Sequence, residues 1–280
     1  MPELPEVETV RRGLEPVLAG RTLVDVRISD SRLTRPHDPL AVAMRLCGNR
    51  IVAVDRRGKY LIVRFESGGA LVIHLRMTGS LRSAPDGSLP DDTHRRAVVT
   101  LDNGSAVAYR DVRRFGTWDL FEPGAVEQYL DDRLGPEPLS GRFTTAVFAR
   151  ALARRRAPIK SVILDQKTVA GVGNIYADEA LWRAKIHPLR EAAALTDVEV
   201  ATLRRTIRAA LQRGVELQGS TLRDYALPDG EYGGMQNEFK AYGREGEPCA
   251  RCRTPIEKIK VGGRGTWYCP RCQRSPREAV

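Results

Sequence analysis

Residues 1–20, MPELPEVETVRRGLEPVLAG, set the reading of the whole chain. Leu4, Val7, Val10, Leu14, Val17 and Leu18 recur at helical spacing, and Gly20 follows as a stop. Pro5 suits the first turn, where its missing N–H costs nothing. Pro2 is the kind of small second residue from which an initiator methionine is clipped. Removal of Met1 leaves a secondary amine beside Glu3, just ahead of a rigid helix and close to the positive end of its dipole. A free α-amine titrates at about 7.7–8.0, well below lysine, so part of it is neutral and nucleophilic at physiological pH. Such an amine forms an imine with an aldehyde-level carbon, and a proline amine gives only the charged iminium, an efficient electron sink. The dipole lowers the pKa of this amine, while Glu3 and Glu6 raise it. A stable N-terminus ahead of a helix explains the same residues.

Beyond Gly20 the pattern changes to short β-type runs: Thr22–Ile28, Arg50–Val54, Tyr60–Phe65, Ala70–Leu75, Ala97–Leu101, Ala106–Tyr109 and Thr117–Phe121. Gly68-Gly69 and Asn103-Gly104 are hairpin signals between such runs, and one helix, Pro39–Leu46, interrupts them. This predicts an N-terminal antiparallel β-sandwich with flanking helices over residues 1–130. The stretch 131–143, DDRLGPEPLSGRF, reads as a linker. From residue 144 the period is helical, over Thr144–Ala153, Pro158–Leu164, Asn174–Lys185 and Asp197–Leu217. Residues 218–239 hold four glycines and little periodicity, which predicts a mobile loop closing a helical domain of residues 144–239. Residues 240–280 form a separate cysteine module. The fold class is therefore α+β and multidomain.

A length of 280 residues fits about two domains of 100–200 residues each. No apolar run approaches the roughly 20 residues of a membrane span. The acidic start (Glu3, Glu6, Glu8) lacks the layout of a signal peptide, so a cytoplasmic protein is expected. The net charge of +10 favours a polyanionic partner, and residues 240–280 supply +6 of it with ten Lys/Arg against four Asp/Glu. A solvated basic surface is the plainer explanation. Only seven of the 45 basic residues are lysine, which puts Lys59 and Lys160 on a short list for chemistry that needs a compact ammonium.

Four of the five cysteines form Cys249-x2-Cys252-x16-Cys269-x2-Cys272. Two such knuckles close a tetrahedron around one structural zinc ion and leave no open position for catalysis. Two disulfides would need an oxidising compartment, for which there is no export signal. Gly262-Gly263-Arg264-Gly265, between the knuckles, looks like a hairpin tip with Arg264 placed to reach a phosphate or simply exposed on a turn. Cys47, at the apolar end of the Pro39–Leu46 helix, reads as an inert core thiol.

Other stretches carry weaker signals. Gly171-Val172-Gly173-Asn174 precedes a helix whose N-terminus favours an anion. Lys160 follows the triple arginine Arg154–Arg156 and fits a solvated basic helix end. Met77 and Asp111-Val112-Arg113-Arg114-Phe115-Gly116 sit at strand ends, with an apolar or aromatic residue beside arginine, the kit for wedging into a base stack as well as ordinary core.

Taken together, Pro2–Thr9, Arg56–Tyr60, Arg113–Gly116, Gly171–Ala177 and the four-cysteine module resemble the formamidopyrimidine-DNA glycosylase family, in order and over the whole chain. The resemblance implies a β-sandwich, a helical domain with a helix-two-turn-helix element, a zinc finger, and DNA in a cleft between the two domains. It implies excision of oxidised purines such as 8-oxoguanine and formamidopyrimidines from double-stranded DNA, then β- and δ-elimination, by a monomer. By position, Pro2 would attack C1′, Glu3 would protonate the opening sugar, and Lys59 would donate a proton in β-elimination. Arg264 matches the donor for δ-elimination, but arginine stays protonated, so a phosphate clamp suits it better. His94, Arg113 and Arg155 match DNA contacts, as do His74, Lys160 and Asn174. Met77, Arg113 and Phe115 resemble the trio that fills the gap left by the extruded base, and the 218–239 loop would cover the flipped lesion. Val112 departs from the proline usual before the arginine pair, which bears on the rigidity of that loop. The rivals are an endonuclease VIII-like enzyme for oxidised pyrimidines and a non-catalytic zinc-ribbon DNA-binding protein.

Overall fold

In a computed structural model, residues 2–221 and 227–275 are described. Helix α1 (Leu4–Leu18) opens the chain with Glu3 as N-cap and a proline in the first turn. Leu4, Val7, Val10, Leu14 and Leu18 lie on its buried side, as their spacing predicts. There follow β1 (Leu23–Ile28), α2 (Pro39–Leu46), β2 (Ile51–Arg57), β3 (Tyr60–Phe65), β4 (Ala70–His74), β5 (Gly79–Ala84), β6 (Arg95–Leu101), β7 (Ala106–Asp111) and β8 (Thr117–Phe121). These strands form two antiparallel four-stranded sheets, ordered β1-β6-β7-β5 and β2-β3-β4-β8. Residues two apart share a sheet face, so Leu61, Val63 and Phe65 of β3 can enter the same core as Leu81, Val99 and Val107 of the other sheet. Leu14, Leu18 and Leu46 extend that core onto α1 and α2.

The remaining elements are α3 (Ala125–Asp131), α4 (Thr145–Leu152), α5 (Ile159–Leu164), α6 (Asn174–Ala184), α7 (Asp197–Glu216), β9 (Glu257–Val261) and β10 (Arg264–Tyr268). Every residue of α6 from Ile175 to Trp182 is buried, because α5, α7 and β10 all pack against it. Gly214 of α7 allows the close approach: a Cβ there would lie 2.5 Å from the Tyr176 hydroxyl. Strands β9 and β10 pair antiparallel, from Arg264 opposite Val261 to Tyr268 opposite Glu257.

The chain divides into two compact units, Met1–Asp132 with Leu217–Gly234, and Arg133–Glu216 with Met235–Val280. The segment Leu217–Gly234 thus departs from the expected helical domain of residues 144–239 and joins the sandwich. Its anchors are explicit. Ser220 donates its N–H to Glu6 Oε1 at 2.8 Å, Ser83 donates its N–H to the Pro228 carbonyl at 3.0 Å, and Leu227 enters the sandwich core. Residues 222–226, part of the loop expected to cover a lesion, lie outside the described residues.

Two elements escape the sequence pattern. Strand β5 is built of small and polar residues, and its pairing with β7 defines it, from Gly79 opposite Asp111 to Ala84 opposite Ala106. Helix α3 buries only Val126 and Leu130 after a left-handed Gly124. Cys47 corrects another expectation: it is exposed, one residue past the buried Leu46. The helix has already ended there, so its apolar face no longer dictates where the side chain points.

Candidate active site and DNA-binding elements

Pro2 and Glu3 are buried at the head of α1, with Glu3 2% exposed. Glu3 and Glu6 form a capping box, in which Glu6 Oε2 accepts the Glu3 N–H at 2.9 Å and Glu3 accepts the N–H of Glu6. Glu6 Oε1 also accepts the Ser220 N–H and hydroxyl. The N-terminal turn is therefore held both by its own helix and by a segment more than two hundred residues downstream.

Lys59 sits in the turn between β2 and β3, 6% exposed. Arg56 fixes that turn: its Nη1 donates to the Gly58 carbonyl and its Nε to Glu8 Oε2, both at 3.0 Å. Burial works against the charge on Glu8, but Arg11, Arg56 and Arg12 outweigh it and hold its pKa below the ordinary carboxylate value. The helix behind Pro2 and the turn bearing Lys59 are thus one clamped unit.

His74 is 7% exposed and packs edge-on against Tyr60, with ring centroids 4.7 Å apart. Burial, then the charges of Arg76 and Lys59, lower its pKa to about 3. Its Nδ1 accepts the Arg76 N–H at 3.0 Å, so the neutral ring carries its proton on Nε2. At physiological pH the ring is therefore a neutral N–H donor and not a cation.

Met77 and Phe115 are two of the large apolar residues exposed in the sandwich unit, at 38% and 51%. The Arg113 guanidinium lies 4.8 Å from the Phe115 ring centroid. Despite Val112 in place of proline, the loop is pinned throughout. Asp111 accepts the Thr78 hydroxyl on one oxygen and the Gly116 N–H, at 2.8 Å, on the other. The Thr78 hydroxyl oxygen in turn accepts the Arg113 N–H at 3.0 Å. Arg114, in the left-handed region, makes a two-point contact with buried Asp30 at 2.6 and 2.7 Å and holds that carboxyl below its ordinary pKa. Gly116 is required as well, because a Cβ there would lie 1.7 Å from the Tyr109 hydroxyl. His94 is half-buried just before β6, with Arg96 Nη2 3.3 Å from its Nδ1.

The second unit carries the other expected residues. Arg155 is exposed and paired with Asp165 at 2.8 Å. Asn174, half-buried at the start of α6, donates to the Gly265 carbonyl at 2.9 Å. Lys160 is not the solvated helix end that its basic neighbours suggest, because its ammonium is turned inward. It is 0% exposed, and its ammonium meets Asp178 Oδ1 at 2.7 Å, Thr266 Oγ1 at 2.8 Å and the Gly265 carbonyl at 3.1 Å. The last two are hydrogen bonds and the first is an ion pair that balances the buried charge. Burial raises the Asp178 carboxyl above its ordinary pKa, and the Lys160 charge pulls it back down.

Arg264 is exposed as the first residue of β10, at the tip of the β9–β10 hairpin. The Sγ atoms of Cys249, Cys252, Cys269 and Cys272 all lie within 4.8 Å of one another. Tetrahedral thiolate sites place their sulfurs roughly 3.8 Å apart for a metal–sulfur bond of about 2.3 Å, so the cluster fits a zinc ion. The Cys272 N–H points at Cys269 Sγ at 3.4 Å, and Gln273, 0% exposed, accepts the Cys269 N–H at 2.9 Å. Sequence reasoning did not find Glu8, Arg56, Asp111, Asp30 or Asp178. The contacts that give them their roles, Glu8 with Arg56, Asp111 with Thr78, Asp30 with Arg114 and Asp178 with Lys160, join residues far apart along the chain.

Three family models match in chain order: the formamidopyrimidine-DNA glycosylase N-terminal domain over residues 1–118, its H2TH domain over residues 134–226, and the zinc finger found in FPG and IleRS over residues 246–274. A formamidopyrimidine-DNA glycosylase of Herpetosiphon aurantiacus is 47% identical over 274 residues, covering 98% of this chain and 100% of the relative. The crystal structure of the MutM (FPG) protein of Thermus thermophilus matches with a TM-score of 0.87 at 45% identity, over 97% of this chain and 98% of that one. A Lactococcus lactis FPG mutant, in complex with Fapy-dG-containing DNA, matches with a TM-score of 0.92 at 41% identity, over 98% of this chain and 100% of the other. With its N-terminal domain, H2TH domain and four-cysteine finger all present and in order, the chain belongs to the formamidopyrimidine-DNA glycosylase family.

Proposed function

We propose that Pro2, freed of Met1, is the nucleophile with which this DNA glycosylase and AP lyase of base excision repair removes oxidised purines and opens the strand. The observation that carries this reading is the buried capping box that presents Pro2 on a helix clamped, through Glu8 and Arg56, to the turn bearing Lys59. The Pro2 nitrogen attacks C1′ of the damaged nucleotide, and the base leaves with the electrons of the glycosidic bond. Glu3 protonates the ring oxygen as the sugar opens, giving an iminium ion. That cation acidifies the C2′ proton. Its loss expels the 3′ phosphate in β-elimination, with Lys59 supplying a proton. A second elimination expels the 5′ phosphate, whose charge Arg264 stabilises as a clamp.

Met77, Arg113 and Phe115 fill the gap left by the extruded base, and their pinned loop lets them do so without first becoming ordered. His94, Arg155 and Asn174 contact the backbone, and His74 does so as a neutral donor. One zinc ion, held by Cys249, Cys252, Cys269 and Cys272, is structural: four thiolates leave it no open position. The relative bound to Fapy-dG DNA supports a purine substrate. Among the described residues no helix is long and apolar enough to cross a membrane. The bacterial formamidopyrimidine-DNA glycosylases that this chain resembles support work on DNA in the bacterial cytoplasm and nucleoid.

Borohydride reduction in the presence of duplex DNA bearing 8-oxoguanine opposite cytosine is expected to trap a covalent complex through Pro2. An uncleaved N-terminal tag is expected to abolish trapping while DNA binding persists. A tagged protein that traps and cuts at the normal rate overturns the role of Pro2. Preferential trapping on thymine glycol moves the substrate to oxidised pyrimidines.

A further inference from the structure

The backbone of the finger-tip arginine rests on a buried polar lock built around Lys160 and Asn174. Thr266, 0% exposed, donates its hydroxyl to the Arg264 carbonyl at 3.1 Å and accepts from Lys160 Nζ at 2.8 Å. The next carbonyl, that of Gly265, accepts from both Lys160 Nζ at 3.1 Å and Asn174 Nδ2 at 2.9 Å. Asp178, 1% exposed, neutralises Lys160 through Oδ1 at 2.7 Å and accepts the Trp267 N–H through Oδ2 at 3.1 Å. Two backbone positions, the Gly265 carbonyl and the Trp267 N–H, are thereby tied to two side chains of α6 and one of α5, and the Arg264 carbonyl is tied to Lys160 through the Thr266 hydroxyl. Gly262 presses on α5 too, since a Cβ there would lie 2.8 Å from Ser161 Oγ.

The neighbouring carboxylate works on the other end of the module. Glu179, 0% exposed, accepts the N–H groups of Lys240, Ala241 and Tyr242 at 2.9–3.1 Å. Its register on α6 fixes where the chain enters the finger, and Asp178 fixes where the hairpin tip emerges. An exposed loop bearing an arginine would sample many positions. A carbonyl held from below by a buried, charge-balanced network does not.

We propose that Asp178, acting through Lys160 and Thr266, is a positioning residue for Arg264 and so governs the second elimination step rather than base removal. This rests on the reading of Arg264 as the phosphate clamp. The lock gives the clamp a fixed origin, so the guanidinium meets the leaving phosphate without having to be ordered first. A displacement of about 1 Å at such a group costs on the order of 100-fold in rate.

The test uses full-length, zinc-loaded protein carrying Asp178→Asn or, as the milder change, Thr266→Val. The valine keeps the shape of the side chain and removes only the hydroxyl relay. On abasic-site duplex, the ratio of δ- to β-elimination product is expected to fall roughly tenfold in both variants. Zinc stoichiometry is expected to remain one. The rate of 8-oxoguanine release at saturating DNA should stay within about twofold of the parent, because that step does not use Arg264. An unchanged product ratio in zinc-loaded, folded Thr266→Val overturns the proposal, as does a fall that only tracks lost zinc. Arg264→Ala separates the two readings. If it leaves the product ratio unchanged, the clamp itself fails. If it lowers the ratio while the lock variants do not, only the positioning role fails.

Discussion

The sandwich unit and the zinc-finger segment of the second unit hold their residues by opposite physical means. In the sandwich, the helix behind Pro2 rests on an extended apolar core drawn from both sheets, including Leu14, Leu61, Ile73, Val99 and Val107. In the finger, the buried apolar cluster shrinks to Trp182, Ala241 and Ile256 beside Cys249 and Cys269. So small a segment cannot bury enough surface to order itself. Metal ligation and buried polar contacts replace the missing core: the four thiolates, the Lys160–Asp178 pair and the Glu179 carboxylate. Apolar burial tolerates neighbours of similar shape, whereas a charge lock requires each partner. The sandwich is therefore the robust part of the molecule and the finger the brittle one.

Zinc removal tests this contrast most severely. Structural zinc in finger peptides contributes roughly 10–16 kcal/mol, so chelation should unfold the finger while the sandwich keeps its own thermal transition. DNA affinity should fall on the order of 100-fold as the basic tail loses its shape. Calorimetry and binding titration on the same metal-free sample check both, and unaltered affinity would contradict the role given to the tail.

A smaller break comes from Lys160→Met, which strands the buried Asp178 carboxylate without its counter-charge. The expected cost is about 3–5 kcal/mol in the second unit. Adding Asp178→Leu removes both charges and should recover most of that loss. Denaturant titration of the single and double variants measures the difference. Equal stability for the single variant and its parent would show that the lock carries no structural load.

The smallest effect is a pH dependence in the sandwich. His74 has a folded pKa of about 3, below its unfolded value of about 6.5. The unfolded chain therefore binds the extra proton first, and stability is lost as pH falls below about 6.5. By pH 5 the loss is about 2 kcal/mol relative to neutral pH. His74→Asn should flatten this slope, and denaturant titrations at pH 7 and pH 5 would reveal it. A parent protein equally stable at both values would mean that His74 is not held neutral by burial.

Much of this architecture is legible in local pattern. The spacing from Leu4 to Leu18 specifies α1, alternating runs specify most of the strands, and the paired C-x2-C knuckles specify a metal site. Strand β5 escapes because GSLRSA has no apolar alternation, and only its partner β7 makes it a strand. Lys160 escapes for a related reason. A lysine after three arginines looks solvated, and its counter-charge stands eighteen residues further on, brought close only by the packing of α5 on α6. Cys47 misleads in the opposite direction, since an apolar neighbourhood in sequence does not bury a residue that lies past the end of its helix.

By itself the sequence determined the chemistry on offer: a proline amine behind a removable methionine, four thiolates at zinc spacing, and a basic tail suited to DNA. Those follow from residue identity and short-range spacing, which a linear reading captures. Only the tertiary structure decided which charges are spent inside the protein and which are left for a ligand. Lys160 is consumed by Asp178, Arg114 by Asp30 and Arg56 by Glu8, while Arg113 and Arg264 remain exposed. The reason is that burial and counter-charge depend on contacts between segments far apart along the chain. That rule bears on the opening hexapeptide as well, since Glu6 also accepts two hydrogen bonds from Ser220, far away along the chain.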